Sequence, residues 1–159
     1  MKDASGHCRD TYKSAFATAV LCTLWMVAAT FFGLPGWAGF AGCTAYFAAP
    51  WKGVENLPKT FACVGSGILY AMLSLAAAKL VPGQAAGLVM TFLTTFLMCA
   101  AGNSRLLAFV PGAFIGSFST FASGGDVKAA AAMLLGILLG FVCDMFGRFL
   151  CSVKKDSCQ

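Results

Sequence analysis

Asp144 and Arg148 stand four residues apart in an otherwise apolar stretch, the spacing that brings a carboxylate and a guanidinium together on one helical face. Asp144 is the only one of 6 acids placed inside such a stretch; Asp3, Asp10, Glu55, Asp126 and Asp156 lie near the ends or between apolar blocks. Close to the end of its helix, the pair reads as a structural ion pair ahead of an ion-coupling site. The one histidine, His7, belongs to the N-terminal tail, so no imidazole is available within the apolar blocks for a triad or a proton relay. Metalloprotease, serine-hydrolase and phosphate-loop patterns are absent. These residues predict no catalytic site and no enzyme activity.

The chain has 8 cysteines. Cys22, Cys43, Cys63, Cys99 and Cys143 fall inside apolar segments, where a thiol packs as a small hydrophobe. Cys8, Cys151 and Cys158 lie near the termini, no Cys-x-x-Cys occurs, and His7-Cys8 has no second ligand pair. The spacing therefore predicts neither a metal nor a cofactor.

Transport chemistry is constrained in the same way. Carriers driven by protons or sodium use membrane-buried acids, and no acid falls near the middle of any apolar block. Passive conduction through hydroxyls, aromatics and backbone fits better. Phe40, Cys43, Thr44 and Phe47 share one helical face. Phe114, Ser117, Phe118 and Phe121 share the matching face of a later segment, and Thr23 and Thr95 are a further matched pair of hydroxyls. Aromatics seven apart with small residues between them are also ordinary helix packing, so the stripes are candidates for a pore lining, not proof of one. Pro35-Gly36 and Pro111-Gly112 are candidate helix breaks. A helix starting there would point free N–H groups and the positive end of its dipole at an anion or a carbonyl oxygen.

The elements that must position these groups are membrane spans. Of 159 residues, 59% are hydrophobic and 11% charged, a balance that leaves stretches only lipid or a helix bundle accepts. Six segments are predicted: 14–33, 34–49, 61–79, 84–102, 106–122 and 129–149. A crossing helix needs about 20 residues, so the second and fifth are short or broken. With the N-terminus inside, Lys2, Arg9, Lys13, Lys52, Lys59, Arg105, Arg148, Lys154 and Lys155 fall on the inner side, against Lys79 and Lys128 outside. That asymmetry obeys the positive-inside rule and explains the net charge of +5 without nucleic acid. The first block is too long for a signal-peptide core and lacks a cleavage site, so it stays as a span. The predicted plan is an N-terminal cytoplasmic tail (1–13), one membrane domain (14–150) and a C-terminal cytoplasmic tail (151–159). Its one sizeable polar loop, Pro50–Pro58, faces inward.

The chain also resembles itself. Aligning 20–30 with 92–102 makes Leu21/Leu93, Thr23/Thr95, Met26/Met98, Ala28/Ala100 and Ala29/Ala101 identical. Aligning 38–49 with 112–123 matches Phe40/Phe114, Gly42/Gly116, Phe47/Phe121 and Ala48/Ala122. Aligning 59–71 with 128–140 matches Lys59/Lys128, Ala62/Ala131, Gly67/Gly136, Ile68/Ile137 and Leu69/Leu138. Each copy (about 14–79 and 84–149) holds three segments, and an odd number turns the second copy over in the bilayer. The predicted fold class is therefore an all-α membrane protein of six transmembrane helices in a 3+3 inverted-topology repeat. Small residues four apart (Ala38/Gly42, Gly112/Gly116, Gly136/Gly140) predict close helix contacts, within the bundle or in a homo-oligomer, with a trimer favoured.

Pro50-Trp51-Lys52 and the segment Gly102–Gly125 (GNSRLLAFVPGAFIGSFSTFASGG) resemble a family of small bacterial inner-membrane proteins known only as a domain of unknown function. The resemblance runs from Ala17 to about Phe149 and implies a location in the bacterial inner membrane. The repeat plan is similar to that of aquaporins and formate channels in architecture alone, since the Asn-Pro-Ala boxes and the central histidine of those families are missing. The sequence thus predicts a channel or passive facilitator for a small neutral or weakly charged solute. Its partners would be the lipid bilayer and further copies of itself. The alternative is a non-transporting inner-membrane scaffold or accessory subunit that binds a partner through Pro50–Pro58 and the tails.

Overall fold

The computed structural model describes residues 4–80 and 83–152. The described residues form six α-helices, one 3₁₀ turn and no strand: α1 (Ala4–Phe31), α2 (Gly36–Ala48), the turn Gly53–Glu55, α3 (Asn56–Leu80), α4 (Gln84–Ala101), α5 (Val110–Ala122) and α6 (Val127–Ser152). Helix α1 starts at Ala4, so the segment expected to be a tail up to residue 13 is largely helical. Lys2, Asp3, Pro82, Lys154, Lys155, Asp156 and Cys158 lie outside the described residues, as does the C-terminal tail from residue 153. So do the side chains of His7, Cys8, Arg9, Asp10, Lys13 and Cys151.

Among the described residues two segments, Gly53–Leu80 and Val127–Phe149, are long and apolar enough to cross a membrane; Ala15–Phe31, Gly87–Ala101 and Val110–Ala122 are apolar but shorter. Helices α2 and α5 have 13 residues each, about 20 Å at the α-helical rise, against about 30 Å of hydrocarbon. Local chemistry sets these lengths. Gly33 (φ 62°) ends α1, with the N–H of Leu34 reaching back to the carbonyl of Ala29 at 2.8 Å. Gly124 (φ 65°) ends α5 in the same way through Gly125 and Thr120 at 2.9 Å. Turns occupy most of residues 102–107, and α5 starts only at Val110, with Pro111 in its first turn where a missing N–H leaves no carbonyl unpaired. The span expected over 106–122 is thus a non-helical approach followed by a short helix. Asp126 opens α6, its carboxylate accepting from the N–H of Lys128 at 3.0 Å.

The tightest packing joins α2 to α6 and α3 to α5; α1 lies against α6 and α4 against α3. Glycine makes both central contacts possible. A Cβ on Gly42 would strike the carbonyl of Met133, and one on Gly136 the carbonyl of Gly39. In the other pair, Gly116 meets the carbonyl of Val64, and Gly67 that of Ala113. The order of contacts runs parallel in each pair: Ala38 packs with Ala129 and Ala132, Gly42 lies against Met133, and Tyr46 lies against Gly140, while Cys63 lies by Gly112 and Leu75 by Gly125, just past α5. Lipid supplies no hydrophobic drive between helices, so close backbone approach and interhelical hydrogen bonds must hold them. Ser74 and Thr94 join hydroxyls between α3 and α4, and the Trp25 indole N–H donates to the carbonyl of Gly36 at 3.1 Å. Tyr46, Val64, Ile68, Met133 and Ile137 fill the centre.

Gly42→Ala and Gly116→Ala are each expected to destabilise the protein by about 1–3 kcal/mol, because the methyl group must push two backbones apart. Gly65→Ala, which meets nothing within 4 Å, is expected to be neutral. Thermal unfolding in detergent, followed by circular dichroism, checks the contrast.

Candidate functional site

Helix α2 carries both cavities of interest. At its C-terminal end, where the chain leaves for the 3₁₀ turn, lies a cavity of about 270 Å³ lined by Tyr46, Phe47, Ala49, Trp51, Lys52, Asn56, Asp144 and Arg148. The Arg148 guanidinium forks onto the Asp144 carboxylate, Nε donating at 3.0 Å and the terminal nitrogen at 2.8 Å. The Tyr46 hydroxyl donates to the same carboxylate at 3.3 Å. Buried Asn56 donates to the carbonyl of Tyr46 at 2.9 Å and accepts from the buried hydroxyl of Thr60 at 2.8 Å. The end of α2 is thereby tied to the start of α3 and to the end of α6. With the Asp144 charge matched by Arg148, Lys52 leaves the rim net positive. Beside it, Lys59 stands 5.0 Å over the Trp51 ring, and Trp51 meets Phe109 edge-on at 6.4 Å between ring centres.

Along the flank between α1 and α2 runs a groove of about 490 Å³ lined by Thr18, Cys22, Phe40, Cys43, Thr44, Phe47 and Ala48. Phe47 lines both cavities. The structure therefore brings Phe40, Cys43, Thr44 and Phe47 of the first predicted stripe into one groove. The second stripe has the same pattern of exposure: Ser117 is buried, as Cys43 is, and Phe114, Phe118 and Phe121 are on the exposed face of α5. Thr23 is exposed and bonds back to the carbonyl of Ala19 at 2.9 Å; Thr95 is exposed, while its neighbour Thr94 is the buried hydroxyl. Pro35 precedes α2 and Gly36 is its first residue, lying against the sulfur of Met26; Pro111 and Gly112 occupy the first turn of α5, with Gly112 under the Phe109 ring.

Two features escaped the sequence reading. The Asn56–Thr60–Tyr46 network depends on a bond from α3 to α2 that no spacing reveals. The second is sulfur: the Sγ atoms of Cys22, Cys43 and Cys143, from α1, α2 and α6, all lie within 4.8 Å of one another. The sequence places these cysteines in separate apolar segments, where a thiol packs as a small hydrophobe, and no Cys-x-x-Cys pattern announces a cluster assembled from three helices.

Residues 15–148 match the profile of a family described as protein of unknown function (DUF1097). The chain belongs to that family. It is 41% identical over 138 residues to inner membrane protein YcdZ of Escherichia coli (strain K12), covering 86% of this chain and 85% of that protein. The inner membrane protein YcdZ of Salmonella typhimurium (strain LT2) is 38% identical over 144 residues, covering 89% of this chain and 90% of the relative. No solved structure matches the chain. Both relatives are named inner membrane proteins, which supports an inner-membrane location here. The matched region holds every residue of the polar cavity and of the groove.

Asn56→Ala leaves the Tyr46 carbonyl and the Thr60 hydroxyl unpaired in a buried place, and is expected to destabilise by about 1–3 kcal/mol. Tyr46→Phe removes only the long bond to a carboxylate already held by Arg148, and is expected to cost under about 1 kcal/mol. Melting temperatures of the two purified variants check this order.

Proposed function

We propose that this protein is a passive inner-membrane facilitator for a small neutral or weakly charged solute, working as a homo-oligomer and carrying out no catalysis. The observation that carries the reading is the shared wall at Phe47. A polar cavity of about 270 Å³ at one end of α2 and a groove of about 490 Å³ along its flank both have Phe47 in their walls. Phe47 thus borders both a charged rim and a lining of hydroxyl, thiol and aromatic groups. Among the described residues no acid lines the groove, which fits passive conduction better than ion-coupled pumping. The groove is open along α1 and α2, with Phe40, Thr44 and Phe47 exposed, so a second copy would roof it. That supports an oligomer, of which a trimer is the favoured form.

The reading includes an inverted 3+3 plan with six crossings and both termini in the cytoplasm. The glycine contacts support it. Under the internal alignment, Gly42 on Met133 corresponds to Gly116 on Val64, and Gly136 on Gly39 corresponds to Gly67 on Ala113. Parallel pairing of α2 with α6 thus recurs as parallel pairing of α5 with α3.

The exposed flank of α4, where Phe92 and Phe96 stack at 6.3 Å between ring centres, favours the second reading, a scaffold that docks a membrane partner. Proteoliposome swelling and flux with water, urea, ammonia, short carboxylates and small amines separates the two. A facilitator is expected to pass at least one of these. Phe47→Ala is expected to change its rate several-fold, with smaller effects from Phe40→Ala and Phe114→Ala. No flux of any solute favours the scaffold.

A further inference from the structure

We infer that Cys22, Cys43 and Cys143 form a three-sulfur binding site for a trivalent thiophilic ion, of which arsenite is the probe. The cluster is built by the tightest helix pair in the molecule. Gly39, Gly42 and Gly136 let α2 and α6 touch, which sets Cys43 beside Cys143, and α1 adds Cys22. Cys143 is fully buried, Cys43 nearly so, and Cys22 partly exposed. Cys22 and Cys43 line the open groove, so a small neutral molecule entering there meets the thiols directly.

Ligand type and number narrow the occupant. Among the described residues no imidazole or carboxylate belongs to the cluster, and three sulfurs alone favour a soft ion over a hard one. Structural zinc would need a fourth ligand. Charge then decides. Among the described residues no lysine or arginine lines the groove, and burying an unmatched charge is expensive. Three thiolates around a monovalent ion would leave two negative charges, and around a divalent ion one. A trivalent ion leaves none. Arsenous acid reacts with three thiols so that three As–O bonds break and three As–S bonds form. Each thiol proton departs with a hydroxide as water, and no oxidation state changes.

The other half of the chain offers a contrast. Extending the internal alignment, Cys22, Cys43 and Cys143 correspond to Thr94, Ser117 and Ser74. All three are buried, and Ser74 and Thr94 are hydrogen-bonded to each other. Hydroxyls serve at those places, so thiols are not dictated by the packing alone. The inference stands whether or not the protein conducts a solute, because its test reads binding and not flux.

The test uses the full chain in detergent under a phosphine reductant, with sodium arsenite added and excess removed. One arsenic per chain is expected by native mass spectrometry, together with loss of three reactive thiols. Cys22→Ser, Cys43→Ser and Cys143→Ser are each expected to lose arsenic retention, while Cys63→Ser and Cys99→Ser keep it. Because a serine at buried position 143 can impair folding, arsenic-edge X-ray absorption on the unmutated protein gives an independent reading. Three sulfur neighbours are expected. Retention unchanged by all three substitutions, fewer than three sulfur neighbours, or capture of Cu(I) by these thiols without arsenite would each overturn the assignment.

Discussion

Backbone touching backbone across glycine is the contact on which the rest of the structure depends. Lipid tails are as apolar as leucine, so helices in a bilayer gain little by hiding leucine from them, and dispersion plus interhelical hydrogen bonds must do the joining. Gly42 and Gly136 between α2 and α6, with Gly67 and Gly116 between α3 and α5, place one helix's carbonyls where a side chain would otherwise stand. Everything with chemical character is hung on those two seams. Tyr46 reaches Asp144 because the first seam continues to Gly140, which the Tyr46 ring covers. The three thiols meet because the same seam brings α6 close enough to face α1.

Polar groups then finish what close approach begins. Asn56 joins the carbonyl of Tyr46 near the end of α2 to the hydroxyl of Thr60 on α3, so the last turn of α2 is closed by its neighbour. Ser74 with Thr94 repeats the device between α3 and α4. Such bonds are worth individually little, but a missing partner in a dry interior leaves a polar group stranded. The Arg148–Asp144 fork is partly exposed and contributes mainly by fixing the rim of the cavity.

Much of this was legible in the sequence, and the reasons for the rest are physical. Apolar blocks and proline–glycine punctuation foretold six helices, and Pro111 foretold that α5 would be brief. The i,i+4 spacing foretold the Asp144–Arg148 pair, since both partners belong to one helix. Periodicity says which residues share a face but not what that face meets. Phe114, Phe118 and Phe121 therefore read like Phe40 and Phe47, and Ser117 is buried as Cys43 is, yet the pattern could not say that the first stripe would line a groove against α1. Cys22, Cys43 and Cys143 stand far apart along the chain, so only the assembled helices reveal that they converge. Pro111 also marked the break before α5: apolar residues before Val110 continue the hydropathy of α5 but not its hydrogen-bond ladder.

Under the proposed six-crossing plan, the brevity of α2 and α5 would have an electrical consequence. A helix of about 20 Å in hydrocarbon of about 30 Å favours local thinning, with lipid headgroups and water drawn toward its ends. The transmembrane voltage would then fall over a shorter insulating layer, and the local field would steepen by about half. Dipoles in that thinned zone, the hydroxyl of Thr44 among them, would feel the membrane potential more strongly than the same groups beside a full-length span.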